Sequence, residues 1–350
     1  MGRMLPRPSM SVAKIRADLL AWYDANRRDL PWRAPRGQRP DPYRVWLAEI
    51  MLQQTTAAHA SPYFNAFMAR WPSLEALAAA DPADIMAGWA GLGYYARARN
   101  LIEFAKRVVR SGEGFPSTEQ TLRGLPGVGA YTAAAIAAIA FNEGANVVDA
   151  NVLRVMARLY AVQTPLPAAA DRLTDLAKGL VRSERPGDWA QALMDLGAVV
   201  CRPRTPLCDA CPLGRHCLAR AGGTPESYPR RQTKRPRPHR HGVTYIAKCD
   251  GAVAMILRPP EGLLGGMLGL PTTEWRARPW SRKQALAAAP MPLAWRAMGS
   301  VRHVFTHFSL NLEVMAAEAR GADATLVWMA QASARAAAPS LFRKALQIGL

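Results

Sequence analysis

The stretch "YRVWLAEIMLQQT", residues 43–55, places an acid where a buried helix has little use for one. Glu49 has Val45, Trp46 and Leu52 as its i−4, i−3 and i+3 neighbours, so its carboxylate shares a helix face with hydrocarbon. A carboxyl in such surroundings keeps its proton toward neutral pH and can act as a general acid. The alternative is an ion pair with an arginine in the core. A second carboxylate, Asp149, stands directly before the apolar-periodic run "ANVLRVMARLYAV". It is either a helix N-cap or half of a catalytic pair, and the two roles are compatible. Further on, Cys201, Cys208, Cys211 and Cys217 form a C-x6-C-x2-C-x5-C array. Four thiolates so close along the chain can surround one metal centre; spacing alone leaves zinc and iron–sulfur both open. Cys249 lies far from the array and reads as a core residue.

These groups need rigid elements to hold them. Residues 11–219 read as helix after helix, opening with "SVAKIRADLLAWYDANRR" and continuing near 43–57, 59–70, 73–79, 82–88, 94–110, 118–124, 130–141, 150–161, 170–182 and 187–199. Ser117 and Gln120 have capping-box spacing. Between two of the helices lies "LPGVG", in which Gly127 and Gly129 flank Val128. The glycines permit positive φ, and the helix starting at Ala130 aims free N–H groups and the positive end of its dipole at the turn, a seat for a phosphate oxygen. A plain helix–helix turn would also favour glycine.

Residues 220–242, "RAGGTPESYPRRQTKRPRPHRHG", are rich in Pro, Gly and Arg. They predict an extended, exposed linker that either tracks phosphates or merely tethers. From 243 to 350 the composition shifts. "GVTYIAKCDGAVAMILRP", "VRHVFTHFSLNLEVMAAEA" and "ATLVWMA" suggest strands, and "SRKQALAAA" and "PSLFRKALQIG" suggest short helices, hence an α+β domain. Residues 1–10 predict a flexible tail.

The whole chain, 350 residues and half of them hydrophobic, suffices for two or three cored domains. No run of eighteen apolar residues occurs, so no membrane span is expected, and the N-terminal segment lacks the apolar core of a signal peptide. A cytoplasmic monomer is the expectation. A net charge of +19 favours a polyanionic partner: DNA, RNA or an acidic membrane surface.

The cysteine spacing resembles the [4Fe–4S] loop of the endonuclease III and MutY branch of the helix-hairpin-helix DNA glycosylases, and "LPGVG" is similar to that family's hairpin. The resemblance covers essentially the whole helical region. It implies an iron–sulfur centre that is structural and DNA-orienting, with Arg202, Arg204 and Arg215 beside it facing phosphate or solvent. It also implies a catalytic role for Asp149.

Within the family, the endonuclease III branch carries a Schiff-base lysine two residues after the second turn glycine. Here that position is Tyr131, and no lysine lies between Lys106 and Lys178. Glu49 instead sits where MutY-type adenine glycosylases carry their catalytic acid, within a matching W-L-x-E-x-M-L-Q-Q-T; "LPWR" (30–33) and "GLGYYARARNL" (91–101) also look like MutY segments. The resemblance implies that Glu49 protonates adenine and that Asp149 stabilises the sugar cation, with Tyr131 and Asn151 holding both. Gln54, Thr55, Tyr94 and Leu92 would read the base opposite the flipped adenine, and Leu30, Trp32, Arg33 and Asp195 would form the adenine pocket.

MutY-type proteins append a Nudix-like domain. This one lacks the acidic Nudix helix, so recognition without hydrolysis is expected there. Phe305, Thr306 and His307 resemble the loop that recognises 8-oxoguanine, usually Phe-Ser-His. Two other departures are Ala150 where glycine is common and Leu268 where tryptophan is frequent. The expectation is therefore a monofunctional adenine glycosylase acting on double-stranded DNA with A:8-oxoguanine or A:G mispairs, in the cytoplasm and near the nucleoid. The rivals are a bifunctional pyrimidine glycosylase/lyase and a non-catalytic iron–sulfur DNA-binding protein.

Overall fold

The computed structural model describes residues 11–232, 237–259 and 262–350. The proposed tail, residues 1–10, lies outside them. The chain divides into two compact units, Met1–Gln232 and Thr233–Leu350.

The first unit is helical: α1 Val12–Asn26, α2 Pro42–Leu52, α3 Ala57–Arg70, α4 Leu74–Ala79, α5 Pro82–Gly88, α6 Ala96–Ser111, α7 Glu119–Arg123, α8 Ala130–Phe141, α9 Ala150–Leu159, α10 Ala170–Lys178, α11 Pro186–Asp195 and α12 Leu218–Ala221. Polar residues start most of these helices: the side chains of Ser11, Asp41, Thr56, Ser73, Asp81, Thr118 and Asp149 all accept from backbone N–H groups of the first turn. At α7 the cap is Thr118 rather than the expected Ser117, so the capping-box spacing misled by one residue. Helix α2 stops at Leu52, short of the expected residue 57, and residues 53–55 form a turn. Two apolar cores result. One gathers α2 to α8 around Trp46, Phe64, Phe67, Trp89 and Phe104. The other packs α1 and α9 to α12 through Ile15, Leu19, Met156, Trp189 and Leu193.

The expected linker begins too early. Residues 218–221 are helical, Tyr228 is buried, and Leu166 pairs with Arg231 in an isolated bridge. The buried guanidinium of Arg158 fastens Pro225 and Tyr228 by donating to both carbonyls. A tertiary anchor of this kind overrides local composition, which is why a Pro/Gly-rich stretch as far as Gln232 belongs to the first unit.

The second unit is a mixed sheet with helices. Its strands are β1 His239–Cys249, β2 Ala252–Leu257, β3 Leu268–Gly269, β4 Arg296–Val304, β5 Ser309–Glu318 and β6 Val327–Ala330. Their order is β3-β2-β1-β5-β4, with β6 on β2. β1 and β5 run parallel and the other pairs antiparallel. Helices α13 Arg282–Ala287, α14 Gln331–Ala337 and α15 Ser340–Gly349 accompany it. Buried Leu310, Leu312 and Val314 alternate along β5 and meet Leu341, Phe342 and Leu346 of α15. No described helix is long and apolar enough to cross a membrane.

Candidate active site

Helix α2 carries Glu49 into the wall of a cavity of about 1170 Å³. Tyr131 at the start of α8, Asp149 and Asn151 at the start of α9, and Leu30, Trp32 and Arg33 from the segment after α1 line the same cavity. Glu49 is only 7 % exposed, and burial pushes its carboxyl up to about 7 from an ordinary 4.5. A hydrogen bond from Tyr131 opposes the shift, the charge of Asp149 adds to it, and Arg33 opposes it. Tyr131 is itself held well above its usual range by burial and by the two nearby carboxylates, so it stays a neutral donor. The helix is apolar enough to bury the acid, and Arg33, the arginine that acts on it among the described residues, is committed elsewhere.

That commitment is to Asp195. Its fully buried carboxylate accepts from Arg33 at 2.6 and 2.8 Å and from Arg28 at 2.5 Å. Burial alone would raise this carboxyl, but the bonds and charge of Arg33 and Arg28 prevail and hold it below its ordinary value. Asp195 is therefore no part of the cavity wall, contrary to expectation. It sits behind the wall, where it fixes the 28–33 segment that presents Leu30 and Trp32. Trp32 in turn packs edge-on against Phe64, 5.5 Å between centroids.

Asp149 is both cap and site. One carboxylate oxygen accepts from the Val152 N–H at 2.7 Å, and the other from the Asn151 amide at 2.7 Å. Ala150, the departure from glycine, is the exposed first residue of α9, in helical conformation, where a methyl group costs nothing. The Asn151 side-chain oxygen accepts from Arg154 at 2.8 Å; Arg154 reaches the Cys201 carbonyl at 2.8 Å and the Gly197 carbonyl at 2.7 Å. Gly197 lies in a π-helical turn, Leu196–Val200, that joins α11 to the first cysteine. A Cβ on Gly197 would come within 2.6 Å of the Asn151 Cβ. Arg154, Arg158 and Gly197 escaped the sequence reading. The sequence offered little signal: two arginines four residues apart on the side of the helix away from Val152, Val155, Met156 and Leu159 look like an ordinary solvated face.

Cys201, Cys208, Cys211 and Cys217 are free thiols lining one small apolar cavity beside Arg158. Burial pushes Cys211 up to about 12, and Cys208 and Cys217 are raised by burial and by the charge of neighbouring thiolates. Thiols that resist ionisation beside one another become ligands when a cationic centre compensates them. The donor set thus fits a sulfur-ligated centre. Among the described residues no three His, Cys, Asp or Glu side chains are gathered as around a single ion; the four sulfurs line a hollow instead of closing on a point. Arg158 donates to the Cys201 sulfur at 3.3 Å. Arg202 and Arg204 are exposed, whereas Arg215 is paired with Asp18 of α1.

The remaining expected residues divide. In the hairpin, Gly127 has φ 75° and lies against Asn100, Val128 is buried, and Gly129 caps α8 without a side chain, leaving the first N–H groups of that helix open. Tyr94 is 59 % exposed, and both it (φ 49°) and Gln54 (φ 62°) adopt left-handed backbone, which costs a non-glycine residue energy. Thr55 reaches the cavity rim. Leu92 is 5 % exposed and packs inward, so it does not reach the opposite base as expected. In the second unit, residues 305–308 connect β4 to β5. Phe305 stacks on Trp275 at 5.5 Å, leaving Thr306 and His307 exposed at the tip.

A helical unit with a hairpin, a buried acid sharing a cavity with a second carboxylate and a four-cysteine loop fit the helix-hairpin-helix class of DNA-repair glycosylases, and the comparisons with known proteins agree. Residues 47–179 match the HhH-GPD superfamily of base excision DNA repair proteins, and residues 242–347 match the NUDIX domain. The chain is 35 % identical to the adenine DNA glycosylase of Homo sapiens, over 88 % of this chain and 67 % of the relative. It is 39 % identical to that of Mycobacterium tuberculosis strain H37Rv, over 75 % of this chain and 84 % of the relative. A solved thermostable thymine-DNA glycosylase superposes with a TM-score of 0.54 at 31 % identity, covering 60 % of this chain and 97 % of that one. The chain belongs to the adenine DNA glycosylases, a family of DNA N-glycosylases.

Proposed function

We propose that this enzyme hydrolyses the N-glycosidic bond of adenine opposite 8-oxoguanine or guanine in duplex DNA, as a monofunctional glycosylase of base-excision repair. The observation that carries the reading is Glu49, buried in the wall of a cavity roomy enough for an extruded base, with a carboxyl raised to about 7, hydrogen-bonded to Tyr131 and sharing the cavity with Asp149. In its acid form Glu49 gives a proton to an imidazole-ring nitrogen of adenine. The bond from base to C1′ then breaks, its electron pair leaves with the base, and positive charge develops on the sugar. Asp149, its orientation set by Asn151 and the Val152 N–H, faces that charge. Water adds at C1′ and returns a proton to Glu49. Tyr131, where the lyase branch has its lysine, offers no amine for an imine.

Outside the pocket, Gly127, Val128 and Gly129 would seat a phosphate, and Gln54, Thr55 and Tyr94 would meet the base left behind. Thr306 and His307 would add contacts specific to 8-oxoguanine. Cys201, Cys208, Cys211 and Cys217 would hold a [4Fe–4S] cluster, a structural centre that orients the loop on DNA. Iron analysis and visible absorption test that assignment, and protein that carries only zinc would refute it.

The deciding experiment is single-turnover excision from an A:8-oxoguanine duplex by wild type and Glu49→Gln. The substitution is expected to preserve duplex binding and abolish excision, with little covalent complex trapped by borohydride. Excision retained by the Gln variant, or efficient trapping, overturns the reading.

A further inference from the structure

Arg97, in the first turn of α6, is 8 % exposed, and among the described residues it has no carboxylate partner. A cation there also faces the positive end of its own helix dipole, so α6 gains nothing from it. Its bonds explain its presence. One guanidinium nitrogen donates to the Ile50 and Met51 carbonyls, both at 3.0 Å, and another to the Leu92 and Gly93 carbonyls at 2.9 and 3.2 Å. Its face lies over the rings of Trp89 and Tyr94, at 5.2 and 5.6 Å.

The two groups of acceptors belong to different segments. Ile50 and Met51 sit in the last turn of α2, whose final carbonyls have no partner within the helix. Helices commonly end at a glycine that folds the chain back over those carbonyls. Here the chain continues into Gln53, Gln54 and Thr55 instead, with Gln54 left-handed at φ 62°. The other acceptors lie in the turn over residues 91–94, where Gly91, Gly93 and Tyr94 all have positive φ, at 106°, 69° and 49°. Each strained turn exposes one probe, and one buried fork closes both.

We propose that Arg97 is a positioning residue that locks these two turns into one unit, so that Gln54 with Thr55 and Tyr94 sense the base opposite the extruded adenine jointly. The proposal rests on the reading of those three residues given above. It requires arginine. A planar guanidinium spans two pairs of carbonyls at once, whereas a lysine ammonium directs three donors from one point.

The test is a double-mutant cycle on the full-length enzyme. Its readout is the ratio of single-turnover excision rates for adenine opposite 8-oxoguanine and opposite cytosine. Gln54→Ala and Tyr94→Ala are measured singly and together, with Arg97 intact and in an Arg97→Lys background. With Arg97 present, the double substitution should change the ratio about fivefold less than the product of the single effects. In the Arg97→Lys background the ratio should fall about fivefold, and the two effects should multiply within about a factor of two. Independent effects with Arg97 intact overturn the proposal, even if the Lys variant fails to fold. So does an Arg97→Lys enzyme with unchanged ratio and coupling. If neither single substitution moves the ratio, it is the underlying reading of Gln54 and Tyr94 that falls, and the clamp with it.

Discussion

In the first unit Arg16, Glu49, Arg97, Arg154, Arg158, Asp195 and His216 are all less than a tenth exposed, whereas the buried polar residues described in the second unit are Thr244 and Thr273. The first unit bears the cost of charge out of water, because each such group does something an apolar residue cannot. Burial raises the proton affinity of Glu49, Asp195 fixes Arg33, and Arg154 and Arg158 bind α9 to the cysteine loop. The second unit buries hydrocarbon and keeps Thr306 and His307 on an exposed turn, as the recognition role proposed for it requires. The contrast teaches that chemistry demands a perturbed interior, whereas recognition demands only a rigid edge.

The sharpest way to break the contrast is to neutralise the buried acid. Glu49→Gln should lower single-turnover excision by about 10³-fold or more, the range expected for losing general acid catalysis. Asp149→Asn should cost about 10²–10³-fold, the scale of one electrostatic stabiliser, with little change in melting temperature because asparagine caps a helix as well as aspartate does. The pair separates catalysis from capping: a large drop in melting temperature for Asp149→Asn would assign the residue to the fold instead.

A smaller effect, of about tenfold, is expected from Gly197→Ala. The added methyl displaces Asn151 and frees one oxygen of Asp149, and the measurement is excision rate beside an unchanged affinity for DNA.

The raised carboxyl of Glu49 carries a stability signature of its own. Its folded value of about 7 exceeds the ordinary 4.5, so the folded state binds the proton more tightly between them. The stabilisation is complete below about 4.5 and lost as pH rises through 7. Glu49→Gln should therefore raise the melting temperature by a few degrees at pH 9 relative to wild type, and leave much less gain at pH 5. Excision by the wild type should decline above pH 7 for the same reason. The smallest effect belongs to the second unit: Thr306→Ala should alter the preference for 8-oxoguanine by less than about tenfold and leave melting unchanged. A collapse of excision opposite every base would erase the distinction between the two units.

Local rules read a good part of this molecule. Apolar periodicity and capping residues located most helices within a few residues, the cysteine array announced its cavity, and Glu49 was conspicuous because an acid amid Val45, Trp46 and Leu52 contradicts its own neighbourhood. Where tertiary contacts dominate, the same rules fell short. Composition made residues 220–232 a linker, but Arg158 fastens them from a distance. Leu92 looked like a probe beside Tyr94, yet its side chain completes the core.

The one-dimensional pattern therefore determined which elements form and which residue types could do chemistry, since both depend on neighbours a few positions away. Only the fold decided which charges meet. That Asp195 answers Arg28 and Arg33, that Arg154 reaches the Cys201 and Gly197 carbonyls, and that Arg97 reaches the Ile50 and Met51 carbonyls are matters of groups tens to hundreds of residues apart sharing a few ångströms. A buried ion is tolerable only where its partners converge, and that convergence is a property of packing in three dimensions.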